Sequence, residues 1–240
     1  MVAVMSKAVI KGYLRRIPLF AALSEEELSD LAQDARPVMV RKGARVFEEG
    51  SPADCCFVLT AGKARVVLSG DGGTEILLGT VMPDSVVGEV ALLDRSNRSA
   101  SLVAAEPSHL IRISGEAFER TRSNIAFERN LVAHVVGLLR EANDQARAIA
   151  TFPSVPRVVW CLSRIARREG QREGKVVIVP NKPHQELAEM SGCTRETITR
   201  AMGTLRERGC VSGDRQTLRL DVECLQRYVS AEFGFPSWPA

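Results

Sequence analysis

The stretch HQELAEMSGCTRETITRAMG at residues 184–203 decides the fold of the C-terminal part of the chain. The small Ala188 predicts a first helix that another helix can approach closely. Gly192 predicts a tight turn after it, because glycine tolerates a left-handed backbone. Thr194, with Thr197 three residues later, is typical of the N-terminal cap of a second helix. The predicted buried face of that second helix consists of Ile198, Ala201 and Leu205. Together these signals predict a helix-turn-helix.

The exposed face of the predicted second helix is polar and begins at its N-terminus. It consists of Thr194, Arg195, Glu196, Thr199 and Arg200. A recognition helix meets base edges in the major groove with this end, where Arg can bind guanine O6 and N7 together and Glu can accept from cytosine N4. A two-stranded wing is predicted over Val211–Leu220, with its turn at Gly213–Asp214. An ordinary surface helix also mixes Arg and Glu, but the coincidence of turn, cap and wing indicates DNA binding.

Charge is distributed unevenly along the 240 residues. The net charge is −1 through Ala150 and +4 from Thr151 onward, which gives +3 for the chain. We therefore expect the C-terminal part to meet a polyanion. The composition, 45% hydrophobic and 25% charged, is typical of a folded globular protein. No apolar run reaches the roughly 18–20 residues of a membrane helix, and the N-terminus lacks a signal-peptide pattern. A cytoplasmic protein with no membrane partner is expected.

Residues 37–114 have the pattern of an antiparallel β structure. The predicted β-rich runs are Val38–Phe47, Cys56–Thr60, Ala64–Leu68, Glu75–Val81, Ser101–Ala104 and Leu110–Ile113. Short strands separated by frequent turn signals predict a barrel or a sandwich. A short helical pattern over residues 13–35 precedes them, with Ser24 as its N-cap and Glu27 three residues later.

From Glu116 to Ala150 the apolar residues recur at helical spacing. One stripe consists of Leu131, Val135, Leu138, Ala142 and Ile149, and a second consists of Val132, Val136 and Leu139, followed by Asn143. A helix with two apolar faces must bury both, so we expect one face to cover the β domain and the other to pair with a second copy. Burial of both faces within a monomer is the alternative. Phe152–Pro153 ends this helix. The predicted domains are residues 1–115, 116–151 and 152–240.

A second candidate site lies in Gly88-Glu89-Val90-Ala91-Leu92-Leu93, which is followed by Arg98-Ser99-Ala100. Glu89 places an acceptor for sugar hydroxyls at the start of a short helical turn. Arg98 offers a bidentate fork for a phosphate, and Ser99 adds a hydroxyl beside backbone N–H groups. These groups suit one phosphate and one ribose. The alternative is an ordinary Glu89–Arg98 ion pair across a loop.

Both motifs resemble the CRP/FNR superfamily of bacterial transcription regulators, and the resemblance extends over nearly the whole chain. It implies an α+β fold with an N-terminal antiparallel β-roll as the cyclic-nucleotide-binding domain, a long dimerisation helix and a C-terminal winged helix-turn-helix. It implies that Arg195, Glu196 and Arg200 read a TGTGA-type half-site.

The resemblance also implies how the second site binds its ligand. The implied ligand-binding residues are Gly88, Glu89, Val90, Ala91, Arg98, Ser99, Ala100 and Asn143. Glu89 is expected to bind the ribose 2′-hydroxyl, and Arg98 and Ser99 the cyclic phosphate. The superfamily places a Thr-Ser pair against the base, where this chain has Ala142 and Asn143. Because alanine has no polar side-chain group, the base contact is expected from Asn143.

The expected function is therefore that of a homodimeric transcription regulator with cAMP as its allosteric effector, acting on double-stranded DNA and on RNA polymerase. Contacts with the polymerase are expected from the loop Arg168–Lys175 or from the β domain. The alternatives are control by cyclic-di-GMP or cGMP, or by no ligand. Nothing in the sequence pairs residues for catalysis or groups ligands for a metal, so neither an enzyme nor a metal site is expected. The six cysteines are expected to be reduced thiols, with at most one of Cys55 and Cys56 pointing inward.

Overall fold

The structure, a computed structural model, describes residues 5–70 and 75–234, and the chain divides into two compact units, Met1–Arg140 and Glu141–Ala240. The helices are α1 (Lys7–Arg16), α2 (Glu25–Asp34), α3 (Val90–Leu93), α4 (Gly115–Thr121), α5 (Ile125–Thr151), α6 (Ser154–Glu169), α7 (His184–Ser191), α8 (Arg195–Glu207) and α9 (Val222–Phe233). The strands are β1 (Arg36–Val40), β2 (Arg45–Phe47), β3 (Cys55–Ala61), β4 (Ala64–Ser69), β5 (Glu75–Val81), β6 (Val86–Val87), β7 (Ser101–Ala104), β8 (Ser108–Ser114), β9 (Gln171–Glu173), β10 (Val176–Pro180), β11 (Val211–Gly213) and β12 (Thr217–Asp221).

The first unit contains two four-stranded antiparallel sheets, with strand orders β1-β8-β3-β6 and β2-β7-β4-β5. Their facing side chains, among them Phe57 and Leu102, form one hydrophobic core. The other face of β3 packs through Val58 into a second core, which also contains Phe118 and Phe127 from the helices. These sheets confirm the predicted α+β fold with its N-terminal antiparallel β-roll.

Strand β3 is buried on both faces, which corrects the expectation for its adjacent cysteines. Cys55 is 3% exposed and belongs to the core between the sheets, whereas Cys56 is fully buried in the helix-covered core. Successive side chains of a strand point to opposite faces, and here each face has its own core. Burial, as the largest cause, raises the pKa of both thiols.

Two predicted segments of the first unit are divided by turns. The helical pattern over residues 13–35 lies in α1 and α2, and Ser24 caps α2 as predicted: its hydroxyl accepts from the Glu27 N–H at 3.2 Å. The predicted run Val38–Phe47 forms two strands, because Gly43 turns the chain at φ 80° between them. The Gly43 N–H then donates to the Ala104 carbonyl at 2.7 Å and attaches the turn to β7.

The helix predicted from Glu116 to Ala150 is also interrupted. It forms α4 and then α5, which starts at Ile125. The Asn124 side-chain oxygen accepts from the N–H groups of Ala126 and Phe127 at 2.9 and 3.0 Å, so Asn124 starts a new helix. The long helix ends at Thr151, and Pro153 is the N-cap residue of α6. The division into residues 1–115, 116–151 and 152–240 stays a prediction.

The second unit packs α6–α9 against a four-stranded antiparallel sheet of order β11-β12-β10-β9. Helices α7 and α8 form the predicted helix-turn-helix, with Gly192 left-handed between them at φ 63°. Strands β11 and β12 form the predicted wing. The segment Arg168–Lys175, expected to be a loop, includes the exposed strand β9, which pairs with β10.

Cys210 and Cys224 form a disulfide, which contradicts the expectation of six reduced thiols. Their Cα atoms lie 5.1 Å apart although 14 positions separate them in the sequence. The hairpin of the wing brings the chain back, and the Asp221 N–H donates to the Cys210 carbonyl at 3.0 Å. A long-range return of this kind leaves no local spacing signal. The free cysteines among the described residues are Cys55, Cys56, Cys161 and Cys193.

Candidate functional site

The first candidate site lies in the connection between β6 and β7. Gly88 follows β6 with a left-handed backbone, φ 85°. A Cβ atom at this position would lie 2.6 Å from Nη1 of Arg98. Glycine is therefore needed here for two reasons: the backbone conformation is unfavourable for other residues, and the Arg98 guanidinium occupies the space of a side chain.

Arg98 is held in place by backbone carbonyls, the Cys55 sulfur, to which Nη2 donates at 3.6 Å, and one aromatic ring. Its side chain is buried, 4% exposed, and Nη1 and Nη2 donate to the carbonyls of Gly88 and Cys55 at 2.7 and 2.6 Å. The guanidinium carbon lies 4.4 Å from the centroid of the Phe47 ring. Nε has no hydrogen-bond partner among the described residues. Since none of these contacts neutralises the charge, Arg98 is a fixed buried cation that can accept an anion.

Glu89 is the second buried charged group of this segment, at 2% exposed. It occupies the N-cap position of α3 without a side-chain capping bond. Its Oε1 lies 2.9 Å from Nε2 of His134 on α5, whereas Oε2 has no partner among residues 5–70 and 75–234. The alternative Glu89–Arg98 ion pair is not found within these residues, because the carboxylate pairs with His134 instead.

Sequence reasoning missed His134. The available signal was its position three residues after Leu131, which is 2% exposed, because residues three apart share a helix face. The side chain of His134 is 26% exposed. The sequence indicated that one face of the long helix covers the β domain, but it did not indicate that His134 pairs with Glu89.

The charges of Glu89 and Arg98 both act on the buried thiol of Cys56. Burial first and then the Glu89 carboxylate raise the pKa of this thiol well above its usual value, and the Arg98 guanidinium acts in the opposite direction. The geometry agrees, since Glu89 directly follows Gly88, whose carbonyl accepts from Arg98 Nη1 at 2.7 Å, so an acceptor for hydroxyls and a cation for phosphate belong to one segment.

The other predicted ligand residues differ in exposure. Ala91 and Ala100 are buried, each 5% exposed, whereas Val90 is 39% exposed and Ser99 is exposed. Asn143 is exposed and belongs to the second unit. The role of each in binding stays a prediction.

The second candidate site is the N-terminal half of α8. The Thr194 hydroxyl accepts from the Thr197 N–H at 3.2 Å, which confirms the predicted cap, and Ile198, Ala201 and Leu205 are buried. The predicted DNA-contacting residues, namely Thr194, Arg195, Glu196, Thr199 and Arg200, are all exposed. The geometry thus presents two cations and one carboxylate at the start of a helix, where a recognition helix meets base edges.

Two of these residues have local partners that sequence reasoning did not include. The Thr199 hydroxyl donates to the Arg195 carbonyl at 2.9 Å and lies 3.0 Å from Nδ1 of His184. The pKa of Glu196 is lowered, first by a hydrogen bond to its own backbone and then by the Thr194 hydroxyl. Glu196 is therefore an ionised acceptor, whereas the Thr199 hydroxyl is already engaged.

The described residues contain no helix long and apolar enough to cross a membrane. Over residues 5–70 and 75–234 there is also no group of three or more His, Cys, Asp or Glu side chains that could hold a metal ion.

Comparison with known proteins identifies both parts of the chain. Residues 37–124 match the cyclic nucleotide-binding domain family, and residues 156–228 match the Crp-like helix-turn-helix domain family. The chain is 29% identical over 195 residues to a cyclic AMP receptor protein from Thermus thermophilus, covering 81% of this chain and 88% of that protein. It is 28% identical over 221 residues to a CRP-like cAMP-activated global transcriptional regulator from Mycobacterium tuberculosis, covering 89% and 97%.

Solved structures share the fold. The c-di-GMP responsive global regulator CLP from Xanthomonas campestris matches with a TM-score of 0.68 at 20% identity, over 82% of this chain and 99% of that one. FixK2 from Bradyrhizobium japonicum matches with a TM-score of 0.69 at 22% identity, over 80% and 95%.

Proposed function

Because this chain belongs to the CRP/FNR family of transcription regulators, we propose that it is a cAMP-responsive homodimer that binds a palindromic TGTGA-type DNA site. As a member of this family it is a DNA-binding, non-enzymatic regulator with a cyclic-nucleotide-binding domain. The effector, the dimer and the DNA sequence belong to the proposal, which also includes a cytoplasmic location and RNA polymerase as a partner.

The observation that carries the proposal is the pair of buried charged groups Glu89 and Arg98, each with one polar atom that has no partner in the described part of the chain. A buried polar atom without a partner is costly, by about 1–3 kcal/mol and more for a charged group. A cyclic nucleotide supplies a ribose hydroxyl for Glu89 and an anionic phosphate for Arg98, so binding removes both costs. In the proposed complex Ser99 also contacts the phosphate.

Cyclic AMP, rather than another cyclic nucleotide, is proposed because the relatives from Thermus thermophilus and Mycobacterium tuberculosis are described as cyclic AMP receptor and cAMP-activated proteins. The matched lengths cover most of both chains, so the same order of domains is compared.

The homodimer is supported by the apolar residues that α5 exposes in a single chain. Val132, Val136, Leu138 and Leu139 are 60, 39, 40 and 59% exposed. Exposed apolar side chains at helical spacing are typical of a surface that pairs with another helix. In such a dimer two copies of α8 read half-sites about 34 Å apart, which corresponds to successive major grooves. The effector activates if it binds the DNA-competent state more tightly than the other state.

The test is fluorescence anisotropy of a labelled TGTGA–TCACA duplex at one salt concentration, without nucleotide and with cAMP, cGMP or cyclic-di-GMP. We expect cAMP to increase DNA affinity at least about tenfold, a coupling of roughly 1.4 kcal/mol. Arg98→Ala removes this gain, whereas the matched variant Arg41→Ala, at an exposed position of the same domain, keeps it.

Each other outcome changes a defined part of the proposal. A gain with cGMP or cyclic-di-GMP alone transfers the effector assignment to that nucleotide. Equal affinity with and without every nucleotide contradicts the regulatory role of Glu89 and Arg98. Equal affinity for the TGTGA duplex and a scrambled duplex contradicts the proposed DNA site.

A further inference from the structure

The two carboxylate oxygens of Glu89 have different surroundings. Oε1 lies 2.9 Å from Nε2 of His134, and Oε2 is buried without a hydrogen-bond partner among the described residues. We propose that His134 is a positioning residue of the nucleotide site: it holds Oε1 so that Oε2 faces the ligand and accepts the ribose 2′-hydroxyl. This inference rests on the proposed function and adds a residue that governs sugar selectivity.

Nothing else among the described residues fixes the Glu89 carboxylate. The backbone of Glu89 is held by α3, since its carbonyl accepts from Leu92 and Leu93 at 3.0 and 3.1 Å. Its side chain makes no capping bond to that helix. A glutamate side chain has three rotatable bonds, so without a partner its carboxylate samples several rotamers. The bond to His134 is therefore the hydrogen bond that, together with the packing that buries Glu89, sets the position of Oε2.

A purely structural ion pair is the competing explanation, and the unequal surroundings of the two oxygens argue against it. In a structural pair, the acceptor atoms that burial removes from water find partners within the protein. Here one atom of a carboxylate that is 2% exposed is left without one. A ligand hydroxyl would donate to that oxygen, whereas a purely structural ion pair gives no reason for the oxygen to lack a donor.

In the proposed arrangement Nε2 of His134 donates to Oε1, because an ionised carboxylate only accepts hydrogen bonds. Arg98 is the other buried charged group of this segment. Arg98 is already held by the carbonyls of Gly88 and Cys55. His134 is thus the donor available to orient Glu89.

The experiment measures how strongly the full-length protein distinguishes cAMP from 2′-deoxy-cAMP, by calorimetric titration of both ligands. In the wild type we expect a preference for cAMP of at least about tenfold, equivalent to roughly 1.4 kcal/mol. His134→Leu, which has no donor, reduces this ratio to below about threefold. His134→Gln, whose side-chain amide donates at a similar reach, restores most of it. His109→Leu, at an exposed histidine on β8, leaves the ratio unchanged.

A second comparison separates positioning from stability. Glu89→Gln also lowers the ratio, and adding His134→Leu to it has no further effect if both residues act through the same hydroxyl. Circular dichroism shows which variants are folded. If His134→Leu does not fold, His134→Gln provides the test, and the folded His134→Gln protein must keep at least about half of the wild-type ratio of cAMP to 2′-deoxy-cAMP affinity. A wild-type ratio in folded His134→Leu protein overturns this inference alone. Absence of cAMP binding by the wild type overturns the proposed function and this inference with it.

Discussion

Gly88→Ala tests whether the position of Arg98 governs nucleotide binding. The change has two separate effects. An alanine at φ 85° is strained, which lowers the free energy of unfolding of the first unit by about 1–2 kcal/mol. Its Cβ also lies 2.6 Å from Arg98 Nη1, so the guanidinium must move away from the Gly88 carbonyl.

The second effect determines the loss of affinity. Displacing Arg98 removes or misaligns the proposed charge-assisted hydrogen bond to the phosphate, and a bond of this kind contributes about 1.5–3 kcal/mol. The Kd for cAMP is therefore expected to rise roughly 10- to 150-fold. Calorimetric titration with cAMP measures this change, and urea unfolding measures the stability change.

Gly43→Ala is the matched control. Gly43 has nearly the same backbone angle, φ 80°, but a Cβ there meets no atom within 4 Å. We expect both variants to lose stability through the strained backbone, Gly88→Ala to lose more because its Arg98–Gly88 hydrogen bond is also broken, and only Gly88→Ala to lose affinity. Wild-type cAMP affinity in a Gly88→Ala protein that is more destabilised than Gly43→Ala refutes the reasoning, because it means that the guanidinium has moved without any effect on binding.

Three further perturbations concern DNA recognition, the dimer and the acid sensitivity of the second unit. Arg195→Ala is expected to lower discrimination against half-site variants by about 1–3 kcal/mol in duplex titrations. Arg215→Ala, at the exposed wing turn, is the control and is expected to weaken binding to all sequences alike. Unchanged discrimination in Arg195→Ala contradicts the proposal that Arg195 contacts a base. Leu139→Asp, at a position 59% exposed on α5, is expected to give monomers in sedimentation velocity, and an intact dimer argues against pairing through this helix. Burial, followed by the charges of Arg206 and Arg195, lowers the pKa of His184 below its ordinary value. The unfolded state therefore binds more protons than the folded state as the pH falls through the ordinary histidine range, so the stability of the second unit decreases there. Urea unfolding from pH 8 to 5 measures this decrease. An equal dependence of unfolding free energy on pH in His184→Gln contradicts the role of His184.

The helix-turn-helix was predictable because its signals are local. The turn at Gly192, the cap at Thr194 and the buried positions of α8 all lie within one short segment, and each follows from the preferences of single residues. The breaks at Gly43 and Asn124 were also local signals, since glycine and asparagine are typical of turns and caps, but the surrounding apolar periodicity masked them.

The surroundings of Glu89 and Arg98 in the first candidate site were not predictable, because they come from distant parts of the chain. The motif indicated Glu89 and Arg98, whereas Cys55 lies 43 positions from Arg98 and His134 lies 45 positions from Glu89. The disulfide between Cys210 and Cys224 depends in the same way on the return of a hairpin. Contacts of this kind are determined by the packing of strands and helices, which single-residue preferences do not encode.

A third buried charge in the same chain supports a ligand-binding role for Glu89 and Arg98. Among the described residues, the charged side chains less than a tenth exposed are Glu89, Arg98 and Lys182. Lys182 lies in the second unit and is paired with Glu169 at 2.9 Å and Glu186 at 3.5 Å, so its charge is balanced within the protein. Glu89 and Arg98 instead each keep a polar atom without a partner among the described residues. Lys182 thus has opposite charges beside it, whereas Arg98, which donates to two carbonyls and the Cys55 sulfur and lies over a ring, is suited to an anion from outside.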